Sequence, residues 1–176
     1  MKFLFTLSAF AALFFSSCNS GNKKANFLSI AQSEVKPFSD TLKTDTFKVK
    51  LEGIHPKDML ITFTIHNYDG KQIYHQVFKG IELINNYKKT VDLEKEESQL
   101  NFLKQEVELF FDEENFLEPA VTPEEKPDQY TRDKNFYEEL KETGLMGFKY
   151  QLGNDSKVYI GWSTKEHKVK IYYKCC

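Results

Sequence analysis

The sequence predicts an α+β fold: an antiparallel β-sheet built from hairpins, with one longer and one short helix packed on it. Three observations predict it. Residues 59–78 (MLITFTIHNYDGKQIYHQVF) place two strand-like runs on either side of Asp69-Gly70, a strong hairpin signal. Within residues 93–116, Leu100, Leu103, Val107 and Phe110 recur at helical spacing and form one apolar stripe. Residues 148–174 run through three short strand-like segments separated by turn-forming residues, which reads as an antiparallel meander.

Taken in order, Phe47, Val49 and Leu51 alternate with polar neighbours, so residues 46–51 form a half-buried strand. In the hairpin, a two-residue Asp69-Gly70 loop sets Ile65 opposite Tyr74, Phe63 opposite Gln76 and Ile61 opposite Phe78. That face is the core face. Thr62, Thr64, His66, Ile73, His75 and Val77 take the other. The longer helix spans 94–106, with Asp92 as a cap and Pro119 beyond its end. A strand over 107–111 is the alternative for the residues that follow. Residues 117–133 hold three of the five prolines and read as a long loop. The short helix, 134–142, ends at Gly144, a C-cap residue.

The closing meander takes strands at 148–152, 157–163 and 169–174, with turns at 153–156 and 165–168. Val158, Ile160 and Trp162 share a face, as do Val169, Ile171 and Tyr173. A loop centred on Asn154-Asp155 puts Phe148 over Gly161, an aromatic covering a strand glycine. The sheet so assembled has five or six strands.

The 176 residues suffice for one domain beyond a leader, and a composition 40% hydrophobic and 28% charged is that of a folded chain. With Phe 16 and Tyr 9, aromatic rings supply much of the core. The net charge of -2, with no long basic run past the leader, excludes a nucleic-acid interface. GxSxG, Walker, dinucleotide, HExxH and EF-hand patterns are absent, so no cofactor is implied.

The first residues have a different grammar. Met1-Lys2 is followed by an apolar run over residues 3–15, then by Ser16, Ser17 and Cys18. The run fits the roughly 7–15-residue core of a signal peptide and falls short of the about 20 residues that span a bilayer. This stretch resembles a bacterial lipoprotein leader and its lipobox, with Phe15 where that family usually has an aliphatic residue. The resemblance implies a signal peptide over 1–17 and lipidation of Cys18, whose chains anchor the protein to the membrane. Residues 18–40 then read as a lipidated N-terminus and flexible tether, and 41–176 as a single domain resembling the small domains of envelope lipoproteins. Asn19, where an aspartate favours inner-membrane retention, implies the outer membrane, facing the periplasm.

Candidate site residues are few. Tyr159, Trp162, Tyr172 and Tyr173 are the binding candidates for an envelope protein or glycan, because such side chains dominate contact surfaces. His66 and His75 lie diagonally on one hairpin face, where a nearby acid would complete a hydrolase site. Two histidines without a third ligand do not make a metal site. Glu106, Glu108, Asp112, Glu113 and Glu114 read as a solvated helix face. Cys175 and Cys176 are not CxxC; they read as a vicinal disulfide, a bridge to another chain, or idle thiols. Finally, GFKYQLGNDSKVYIGWSTK is similar to the C-type lysozyme-inhibitor lipoproteins through Gly147, Tyr150, Trp162 and Ser163. That resemblance implies a compact β-barrel that blocks muramidases. The leading expectation is a non-enzymatic, membrane-tethered binding domain.

Overall fold

The computed structural model describes residues 26–152 and 156–175. Cys18, Cys176 and the leader lie outside the described residues. Four strands, β1 (Leu28–Lys36), β2 (Asp45–Gly53), β3 (Leu60–His66) and β4 (Gln72–Lys79), form one antiparallel sheet in chain order. Two helices follow, α1 (Gly80–Tyr87) and α2 (Glu96–Glu108). A second antiparallel sheet takes β5 (Phe116–Leu117), β6 (Gly147–Tyr150), β7 (Lys157–Ser163) and β8 (Lys168–Cys175), again in chain order. Between β5 and β6 the chain makes the proline-rich loop and α3 (Lys134–Thr143). The class is α+β, with the strands divided between two sheets rather than joined in one. Among the described residues no helix is long and apolar enough to cross a membrane.

The division follows from what the rings need to bury. On β2 and β3, Phe47, Val49, Leu51, Ile61, Phe63 and Ile65 all point to one face and are fully buried. α2 covers part of that face with Phe102, Leu103 and Val107, and α1 adds Leu83 and Ile84. Sheet two covers the rest through Phe148, Tyr150 and Ile160. Rings meet there at close range: Phe63 lies 4.9 Å from Phe110 and 5.4 Å from Phe148, centroid to centroid, in edge or tilted geometry.

The hairpin register is as the alternation predicts: Ile65 faces Tyr74, Phe63 faces Gln76 and Ile61 faces Phe78. Its turn differs. Asn67 and Lys71 close a three-residue loop, and Gly70 takes φ 78°, a left-handed conformation that suits glycine. The Asn67 side chain holds the turn by accepting from the Asp69 and Lys71 amides. The pairing shifts between Ile65 and His66, leaving Ile73 as the extra residue that restores the predicted register.

Four further readings are corrected. Residues 28–36, placed in the tether, form β1, paired along its whole length with β2, and Phe38 behind it is fully buried edge-on to Phe47. β1 reads as polar because only Leu28 and Ile30 pack on the core. Asp92 does not cap α2; the cap position is Lys95, and Asp92 accepts instead from the Glu94 amide. Phe148 pairs with Ile160, not Gly161, one residue from the expected register. The strand alternative over 107–111 is not realised, since α2 runs to Glu108 and Phe110 turns into the core.

The short helix falls where predicted. Asp133 caps α3, accepting from the amides of Asn135 and Phe136, and Gly144 closes it at φ 61°. α3 packs Phe136, Tyr137 and Leu140 on the outer face of sheet two, with Ala120, Val121 and Tyr172. Sheet two is therefore buried on both faces. Gly147 and Gly161, paired across β6 and β7, make room on that outer face: a Cβ on Gly161 would stand 2.9 Å from a Leu140 methyl carbon.

Candidate tyrosine cleft

The outer face of sheet two carries a cleft beside α3. β8 is irregular there. Tyr159 pairs with Tyr173, and Ile160 pairs with Ile171, so Tyr172 is the extra residue of a bulge. The bulge turns both Tyr172 and Tyr173 toward α3, whereas plain alternation would put Tyr173 with Val169 and Ile171. Bulges re-aim side chains in this way, and a sequence pattern carries no mark of them. α3 contributes Tyr137 through the stripe that also buries Phe136 and Leu140.

The proline-rich loop forms the other wall. It is fastened at several points: the Ala120 amide donates to Leu145 O at 2.8 Å, the Arg132 amide to Tyr172 O at 3.2 Å, and the Lys174 amide to Tyr130 O at 3.3 Å. Thr131 makes an antiparallel bridge to Tyr173. Its side chains are held too. Glu125 Oε2 accepts from the Thr122 amide at 2.6 Å, and Asp128 Oδ2 accepts from the Tyr173 hydroxyl at 2.9 Å.

Between these walls lies a cavity of about 490 Å³, lined by Tyr137, Tyr159, Tyr172, Tyr173, Phe116 and Pro119 among others. Tyr159 stands edge-on to Tyr173 at 5.2 Å and to Tyr172 at 6.0 Å. Glu118, Glu125, Lys126 and Asp128 supply its charges. The Tyr172 hydroxyl donates to Ala120 O at 2.9 Å. Burial holds the Tyr172 phenol above its ordinary range, with Tyr159 and Glu125 adding to the effect. Burial likewise raises Tyr137, helped by Glu125 and Asp128. Both phenols therefore stay neutral, and the loop carboxylates are felt at the cleft floor.

Three of the four predicted aromatic residues thus meet in one cleft, and the fourth does not. Trp162 lies on the opposite face of β7, packed on the first core, beside a smaller cleft of about 230 Å³ with Ser39, Asn67, Tyr68, Thr164 and His167. Tyr172 lies at the floor of the cleft, buried at 3% exposure. Tyr137, Glu125 and Asp128 were not singled out by sequence. The signal available was the run of three prolines with interspersed acids beside a helix whose stripe contains a tyrosine.

The remaining candidates sit apart from the cleft. His66 and His75 are on the solvent side of the first sheet, and neither lines the tyrosine cleft or the Trp162 cleft. Among the described residues, His55 does meet a carboxylate: its Nδ1 lies 2.8 Å from Glu96 Oε1 on an exposed surface. Among the described residues no three His, Cys, Asp or Glu side chains gather in a metal-binding group. Of the acidic run, Glu108, Asp112, Glu113 and Glu114 are exposed, and Glu113 pairs with Lys36 at 2.8 Å. Glu106 departs from the solvated reading: it is half-buried, and burial pushes its carboxyl up. Cys175 ends β8 opposite Lys157.

The four residues of the lysozyme-inhibitor resemblance do lie on the neighbouring strands β6 and β7, at packing positions. The Tyr150 hydroxyl meets that of Tyr74 at 2.6 Å, and Ser163 donates to buried Glu139 at 3.1 Å. Gly147 packs beneath Ala120 and Tyr172. With three helices and two sheets, the fold is not the all-β barrel that the resemblance implies. Compared with known proteins, the chain matches no family model, no curated protein and no solved structure.

Proposed function

We propose that the chain is a non-enzymatic binding module of the bacterial cell envelope, anchored through lipid on Cys18, with the tyrosine cleft as its binding site. The observation that carries the binding role is the cleft itself. It is concave, its volume lies in the roughly 300–1,000 Å³ range of small-molecule sites, and it mixes apolar rings with a few oriented polar groups. Its walls come from a cross-linked loop, a capped helix and a bulged strand, so the site is built before a ligand arrives.

The anchor is supported by the short apolar run that ends at Ser16-Ser17-Cys18. Asn19 favours the outer membrane as the destination, with the domain facing the periplasm. Cys18→Ala is expected to release the protein from the membrane fraction. Full membrane retention of that variant would contradict the anchor.

The binding role is tested with the small-molecule fraction of an envelope extract, passed over the immobilised full-length protein. A retained component is expected on the wild type and lost at least tenfold on Tyr159→Ala, with the variant's melting checked for intact folding. Equal retention by both proteins would place binding outside the cleft.

A further inference from the structure

The donors and charges of the cleft narrow what it can take. Several of its hydrogen-bond donors are used within the protein. Tyr172 gives its proton to Ala120 O and Tyr173 gives its proton to Asp128, while the Ala120 and Thr122 amides are taken by Leu145 O and Glu125. What faces the cavity is rich in acceptors and ring surface. Three carboxylates, Glu118, Glu125 and Asp128, stand against one cation, Lys126. An anionic ligand would meet a wall of mostly like charge.

A cation meets the opposite conditions. Tyrosine faces attract a positive group within about 6 Å of the ring centroid, and more strongly when the site is desolvated. Four tyrosines line this cavity, and two of them, Tyr137 and Tyr172, are 5% and 3% exposed. Burial holds the Tyr172 phenol above its ordinary range, with smaller contributions from Tyr159 and from Glu125 of the acidic wall. We propose that the cleft is a receptor for a small organic cation, an ammonium group on a compact apolar frame. Aromatic rings would cage the charge, and Glu125 and Asp128 would balance it from the rim. This rests on the reading of the cleft as the binding site.

The test uses the full-length protein in detergent micelles and two probes of equal shape, choline and its uncharged isostere 3,3-dimethylbutan-1-ol. Titration calorimetry is expected to give saturable choline binding at least tenfold tighter than the isostere. Glu125→Gln should weaken choline binding about threefold to tenfold; the amide oxygen can still accept from the Thr122 amide, and a melt compared with wild type checks that the loop is intact. Tyr159→Leu should abolish it. Equal binding of choline and isostere, lost in Tyr159→Leu, would overturn the cation assignment and leave the cleft standing as a site. Choline binding that neither variant disturbs, or no binding of either probe, also overturns the assignment. In that last case the extract experiment with Tyr159→Ala still decides whether the cleft binds anything.

Discussion

Glu139 is one of the few buried charged or polar side chains among the described residues, 4% exposed, and its surroundings explain why it is tolerated. It accepts from the Ser163 and Thr164 hydroxyls and from the Lys165 amide, at 3.0–3.1 Å. Burial alone would push its carboxyl up; these bonds outweigh burial and hold it below the usual carboxylate range. Because the folded state lowers its pKa, Glu139 stabilises the fold above the ordinary carboxylate range. That contribution disappears as pH falls through the lower folded value. Glu139→Gln is expected to cost about 1–3 kcal/mol at pH 7, measured by urea unfolding. The gap to wild type should shrink on acidification, and a gap constant from pH 7 to pH 3 would contradict this account. Sequence did not reveal Glu139, because its partners lie at the end of β7 and in the turn after it, more than twenty residues away.

At the scale of elements, sequence legibility tracked how one-sided the burial is. β2 and β3 were readable because each alternates a fully buried face with a more exposed one. α3 was readable at its C-terminal end through Gly144, and Asp133 proves to cap its start. β1 was not, since its pairing is carried by backbone hydrogen bonds along a largely polar strand. α1 was hidden for a related reason: it starts directly after β4, its cap residue Lys79 makes no side-chain cap bond, and its apolar residues continue a strand-like run. The bulges at Ile73 and Tyr172 leave no sequence trace, and the second of them decides which tyrosines meet. The contact between α3 and sheet two gives a sharp prediction. Gly161→Ala drives a Cβ to 2.9 Å from Leu140, itself fully buried, and should destabilise by about 1–3 kcal/mol. Shortening the neighbour, as in Gly161→Ala with Leu140→Val, should recover part of the loss in a thermal melt. A neutral Gly161→Ala would mean that Leu140 has room to move.

The whole molecule is organised around sheet two. Its inner face completes the phenylalanine core begun by β2 and β3, and its outer face carries α3, the proline-rich loop and the tyrosine cleft. The first core fixes the strands, the strands fix the bulge, and the bulge aims the rings. The most direct measurement is an NMR titration of full-length protein carrying ¹³C-labelled tyrosine with the retained envelope component. Nine tyrosines report, and they are spread across the fold. The account predicts that ring signals of Tyr137, Tyr159, Tyr172 and Tyr173 move together while those of Tyr68, Tyr74, Tyr87 and Tyr150 stay fixed. Movement of Tyr68 or Tyr150, with the cleft tyrosines unmoved, would contradict it.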